Sequence, residues 1–396
     1  MSKLEFWFSQ LAPYPQIPPG EEIESAWVTL PNSCYDPEAG RRLYGEYLDQ
    51  LEAAERLGYD GVVVEEHHQT AYGTLPAPNL MAAAVIARTE RIPVAVIGNS
   101  LPLQANPLRA AEEIAMLDVM SGGRVIAGLV RGTGMDYYSS PANPAWSLER
   151  FWEAHDLILR AWTESGPFPW QGQHFHLPFV NPWPRPLQEP HPPIWLPGTG
   201  AVEMIERAAE RRYPFVMVLA AHNFVKAAFD RYRAAAEECG YEASPRQLAC
   251  AVPVYVGADD DTAHREARPH VEWLFRTGLK IPPYHWFPPG YMTRESFGQM
   301  LETKAEYDMK EHWELSYEEL LDQRYVIVGG RDTVIERLSE LSEMGAGIVV
   351  GAGGHIGSMP HEQTLESMQR LAEEVFPAFR DEDYESDGRA GAVAPR

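Results

Sequence analysis

The sequence predicts an α/β fold, a (β/α)8 barrel, and three observations carry that expectation. Short β-branched runs alternate with helix-period segments along most of the chain, as repeated βα units and a parallel sheet require. About eight such runs can be counted, each after the first preceded by a helix, and eight is the number that closes into a barrel. Acidic and histidine residues stand directly after one run, where a barrel of this kind keeps its active site. A doubly wound open sheet is the other arrangement that fits the alternation.

The elements follow in order. Leu4 to Phe8 is the first strand, and a Pro-rich loop follows it. Tyr44, Tyr47, Leu48, Leu51 and Ala54 share one helical face, closed by Gly58 as a C-terminal cap. Gly61 to Val64 is a strand buried on both faces. Helix Pro78 to Arg88 and strand Ile92 to Gly98 repeat the unit. Asn106-Pro107 opens the next helix as cap and first-turn proline, and Val125 to Val130 is the fourth strand. Helix Leu148 to Trp162 leads to strand Pro193 to Leu196, helix Ala201 to Arg211, strand Phe215 to Leu219 and helix Asn223 to Gly240. Leu248 to Val256 is a strand, with a helix from Asp260 to Arg276. Tyr325 to Gly329 is apolar, Thr333 and Glu336 have capping-box spacing at a helix start, and Ile348 to Val350 is the last strand.

One domain, 1–380, is expected, with insertions at about 170–193 and 277–324 and an acidic, then Gly/Ala-rich tail, 381–396, expected to be disordered. The later insertion, a lid-like segment before the last strand, is a candidate cover for the active site. The net charge of −24 argues against nucleic acid and against an anionic membrane surface. The first residues lack the apolar core of a signal peptide and no run is long enough to span a bilayer, so a cytoplasmic protein is expected. Cys34, Cys239 and Cys250 lie far apart, which suits reduced, mostly buried thiols rather than a disulfide framework.

Three stretches could carry chemistry. Glu65-Glu66-His67-His68 directly follows the second strand and offers proton donors and acceptors near neutral pH. Neighbours on an extended chain point to opposite sides, so His67 and His68 cannot share a role. Arg131-Gly132-Thr133-Gly134 follows the fourth strand and suits a phosphate, although a lone glycine turn also merely connects strand to helix. Gly198-Thr199-Gly200 stands before a helix N-terminus, with the same two readings. His174-Phe175-His176 could ligate zinc with His191, but no acidic or Cys partner is suitably spaced, so no metal is expected. Trp7, Phe8, Tyr137 and Tyr138 either line the pocket or pack the core.

In this order the stretches resemble the bacterial luciferase-like superfamily of flavin-dependent monooxygenases and oxidoreductases. The resemblance runs through Gly58 to His68, Asn99 to Pro102, Asn106 to Glu113, Leu117 to Arg124, Val130 to Gly132 and Gln188 to Trp195. It implies a TIM barrel binding reduced FMN (FMNH2), or the deazaflavin F420, and a dimer formed through helices beside the second and third strands. It implies His67 as the catalytic proton-handling residue, supported by Glu66 and His68. Arg131 with Gly132, and Gly198, Thr199 and Gly200, would bind the cofactor phosphate. A non-proline cis bond is implied at Gly98–Asn99, with Asn99 against the isoalloxazine. Val130 stands where luciferase has a reactive cysteine, so no thiol chemistry is implied.

The activity expected is that of a two-component monooxygenase, which receives FMNH2 from a separate NAD(P)H-dependent flavin reductase. It would insert one oxygen atom from O2 into a small organic substrate through a flavin C4a-peroxide. The alternatives are an F420-dependent dehydrogenase on the same barrel and a non-catalytic flavin-binding protein.

Overall fold

Eight parallel strands close into a barrel in the computed structural model, which describes residues 3–306, 310, 312–354 and 356–380. They are β1 (Glu5–Gln10), β2 (Gly61–Val64), β3 (Val94–Ser100), β4 (Val125–Val130), β5 (Ile194–Gly198), β6 (Phe215–Val218), β7 (Leu248–Val256) and β8 (Ile348–Ala352). Each pairs with the next, and β8 returns to β1 with Glu5 opposite Ile348. The expected tail, 381–396, lies outside the described residues.

Period-two alternation sorts the side chains into two cores. Trp7, Val63, Ala95, Ile97, Ile126, Trp195 and Val216 fill the barrel interior. Their neighbours Phe6, Phe8, Val62, Val64, Val94 and Val96 pack outward against the helices. The interior is tight: a Cβ on Gly61 would lie 2.1 Å from the Trp7 ring, which itself meets Trp195 at 4.7 Å between centroids. Trp7 and Phe8 therefore belong to the two cores, Phe8 edge-on to Tyr59, and neither lines the cavity at the mouth.

The helices are α1 (Pro37–Arg56), α2 (Pro78–Arg88), α3 (Leu108–Ser121), α4 (Ser147–Thr163), α5 (Val202–Glu210), α6 (His222–Glu238) and α7 (Asp260–Trp273). Helix α1 shows the local rules at work. Asp36 accepts the Glu38 N–H at 3.0 Å, Pro37 takes the first position, and Gly58 follows the end with φ +75°.

Two expectations are corrected, those for Thr333 and for the cysteines, and the run near Gly329 finds its place. The helix carrying Thr333 starts earlier, at Arg331, so Thr333 is no cap; its hydroxyl donates to Asp260 at 3.0 Å instead. The apolar run near Gly329 forms a short strand, Ile327–Gly329, that among the described residues pairs with β7 alone and stands outside the closed barrel. Of the cysteines only Cys250 is buried, while Cys239 is exposed because it ends the solvent face of α6.

The first insertion is a hairpin, Phe168–Gln171 against His176–Val180, whose turn donates three backbone N–H groups to Glu153. His174 there faces Glu149 at 3.5 Å, and among the described residues no three His, Cys, Asp or Glu side chains gather as a metal site. The second insertion contains the helices Arg294–Glu306 and Tyr317–Asp322. Among the described residues no helix is long and apolar enough to cross a membrane.

Candidate active site at the barrel mouth

The end of β2 delivers two acid–histidine pairs in alternation. Glu65 and His67 turn one way, with His67 Nε2 3.8 Å from Glu65 Oε2. Glu65 is buried and accepts the Ser9 hydroxyl of β1 at 2.6 Å. Glu66 and His68 form the second pair, Nε2 to Oε1 at 2.8 Å, and Glu66 Oε2 also accepts the Ser100 N–H of β3 at 3.2 Å. That hydrogen bond raises the His68 pKa above its ordinary 6.5, against the opposing effect of partial burial.

His67 is held mainly by aromatic rings. Trp27 and Tyr72 both meet its imidazole edge-on, at 4.9 and 5.2 Å between centroids, and stack on each other at 4.7 Å. The Trp27 indole N–H donates to the Gly278 carbonyl at 2.7 Å, tying this clamp to the start of the second insertion. Nδ1 of His67 is buried and has no hydrogen-bond partner.

On β3 the structure corrects two details. The non-proline cis bond is Ile97–Gly98, one bond before the expected Gly98–Asn99. Glycine is needed at 98 because a Cβ there would lie 2.6 Å from Val130 Cγ1. The register with β4 shifts between Ile97 and Asn99, and the Asn99 side chain turns to the helix layer. It accepts the Asn79 amide of α2 at 2.8 Å and lies off the cavity. Ile97, Gly98 and Ser100 form that wall.

Beyond β4, Arg131 is buried, pairs with no carboxylate among the described residues, and has an Nε without a partner. Gly132 takes φ +78°, and Thr133 and Asp136 close the turn through a reciprocal cap. From β5, Gly198 and Thr199 reach the same cavity just before α5. Gly200 has φ +98° and does not line it, since the turn carries it back towards Met217.

One cavity therefore gathers Glu66, His67, Gly98, Arg131, Gly132, Gly198 and Thr199, and leaves out His68, Asn99 and Gly200. His68 lines a neighbouring pocket of about 450 Å³ with Trp27, Tyr35, Met135 and Tyr138. Of the cavity wall, sequence reasoning placed Glu65 in the acid–histidine stretch without giving it a role, and it missed Tyr291. Period-two alternation held the signal for Glu65, two residues before His67. Nothing local pointed to Tyr291, which arrives from the second insertion.

The model of the luciferase-like monooxygenase family matches residues 23–347. The chain belongs to that family. The flavin-dependent trigonelline monooxygenase, oxygenase component, of Acinetobacter baylyi is 30% identical over 164 residues, 41% of this chain and 45% of that one. The chain spans about half the length of such curated relatives. The oxygenating constituent of 3,6-diketocamphane monooxygenase from Pseudomonas putida, solved with FMN, superposes with TM-score 0.71 at 20% identity, covering 95% of this chain and 99% of that one. An F420-dependent secondary alcohol dehydrogenase superposes with TM-score 0.65 at 17% identity, covering 96% and 100%. These two likenesses concern the fold.

Proposed function

We propose that the chain is the oxygenase component of a two-component, FMNH2-dependent monooxygenase. It takes reduced FMN from a separate NAD(P)H-dependent flavin reductase and, with O2, places one oxygen atom in a small organic substrate. The observation that carries this reading is Arg131, a buried cation with no carboxylate at ion-pair distance among the described residues and with an unmet N–H, sharing one cavity with Glu65, Glu66 and His67. A buried guanidinium in that state is a site for an oxyanion. The glycine turns and the N-terminus of α5 extend the same site.

The residues thus fit a flavin phosphate, which Arg131, Gly132, Gly198 and Thr199 would hold. When bound, reduced flavin supplies the electrons that activate O2. The chain's own work is to orient the cofactor, exclude water and move a proton. His67 moves that proton at Nδ1, its unpartnered nitrogen, while the Glu65 carboxylate faces Nε2. The neighbouring pocket, whose aromatic and apolar residues Trp27, Tyr35, Met135 and Tyr138 alternate with polar ones such as His68, Gln69 and Thr70, suits a small organic substrate. A homodimer is part of the proposal, supported by the exposed Leu80 of α2 and Met116, Val119 and Met120 of α3.

Anaerobic titration of the chain with FMNH2 and with reduced F420, followed by O2, tests the reading. Preferential binding of FMNH2, with O2 uptake coupled to its reoxidation on the protein, is expected. Hydride exchange with F420 and no response to O2 would show a dehydrogenase instead. Tight flavin binding with no oxygen reactivity would show a flavin carrier.

A further inference from the structure

The segment that departs most from the βα repeat is the one that grips the arginine of the site. Tyr291 lays its ring over the Arg131 guanidinium, 4.0 Å from Cζ to the ring centroid. Its carbonyl accepts from Nη2 at 2.6 Å, and its hydroxyl donates to the Gly132 carbonyl at 2.6 Å. Tyr137 holds the same turn from the other side, its hydroxyl donating to the Arg131 carbonyl at 2.6 Å.

The chain just beyond Tyr291 is pinned to the other half of the cradle. Ser296 donates to Glu203 at 2.7 Å and accepts the Val202 N–H, the first of α5, at 3.1 Å. Thr293 also donates to Glu203. Burial acts to raise the Glu203 carboxyl, but those two hydroxyls, its own backbone N–H and the charge of Arg131 together hold it below its usual range. Residues 291–296 therefore touch both the Arg131–Gly132 turn and the N-terminus of α5.

We infer that Tyr291 is a positioning residue for the cofactor phosphate, holding the Arg131 guanidinium in place with Nε left free. The inference rests on the reading of Arg131 as the phosphate ligand. A free arginine side chain carries large rotamer entropy that binding must remove. Here the ring covers its flat face and the carbonyl takes one Nη2 donor, so the entropy is lost on folding and an edge remains for the oxyanion. The insertion then forms a wall of the phosphate site. The opposite role, a plug that shields Arg131 and must leave before cofactor binds, predicts the opposite sign.

Anaerobic fluorescence titrations with reduced FMN and with reduced riboflavin, which shares the ring but lacks the phosphate, read the phosphate contribution as a ratio of affinities. Tyr291→Ala should weaken FMN binding roughly tenfold and riboflavin binding less than about twofold. Tyr291→Leu, which keeps bulk without a π face, should do the same, and Tyr291→Phe should stay within about threefold of the parent. Arg131→Gln should abolish the preference for FMN. If Arg131→Gln abolishes it while Tyr291→Ala and Tyr291→Leu keep the parental ratio, or tighten FMN, the positioning role is wrong and the arginine reading stands. If Arg131→Gln keeps the preference, both fall.

Discussion

Glu65–His67 and Glu66–His68 come from four successive residues, share a composition and differ in nearly every physical respect. His67 lines the cavity, clamped by Trp27 and Tyr72, with a distant carboxylate and a vacant nitrogen. His68 lines the next pocket, firmly hydrogen-bonded to Glu66, its pKa raised. The difference teaches that a histidine fixed by packing keeps its nitrogens available for chemistry, whereas one fixed by an ion pair spends a nitrogen on structure. Alternation of the extended chain divides the two roles.

The largest test of that contrast is His67→Ala. It should lower kcat by about 100-fold or more, while FMN affinity changes by less than about twofold. Stopped-flow turnover beside equilibrium titration would show it, and a kcat within threefold of the parent would remove His67 from the chemistry. His68→Gln should leave kcat within about threefold and act on stability instead. Because the folded pKa of His68 is raised, its contribution is full below the unfolded value near 6.5 and disappears as pH rises through the folded one. With the ring partly exposed, about 1 kcal/mol should be lost at acidic pH and almost nothing well above neutrality, read from denaturant melts at both ends. A loss that is equal at both ends would place the effect in packing.

Trp27→Phe gives a change no larger than that of His68→Gln at acidic pH. It keeps a ring beside His67 but deletes the indole N–H bonded to Gly278. Stability should fall by about 1 kcal/mol, with kcat moved less than threefold. A much larger drop in kcat would mean that the clamp sets the imidazole's orientation through that one bond.

Strands and helices were legible wherever local pattern decides. Gly61–Val64, Pro78–Arg88, Val125–Val130 and Leu248–Val256 fall where apolar runs and turn residues put them. The early start of the helix at Arg331 was not legible, because the Thr333 hydroxyl is claimed by Asp260 from a distant helix. Placing Asn99 required the register slip at Gly98, a property of two paired strands rather than of one. The run to Gly329 is apolar, yet only tertiary pairing decides that it lies beside the end of β7 instead of entering the barrel. In the site, His67, Arg131 and Thr199 were legible because each follows its strand directly. Tyr291 was not, since its partner is 160 positions away and no periodicity links them.

The seam between β1 and β8 has a consequence for assembly. Glu5 pairs with Ile348, so the last link of the ring joins the two ends of the described chain and gives the fold a high contact order. Every residue of the candidate cavity except Tyr291 lies on or before β6, yet until that seam forms the sheet beneath them has two open edges. The site is thus encoded early in the chain and made rigid late, and a fragment ending before Ile348 would carry its chemical groups without a closed frame to aim them.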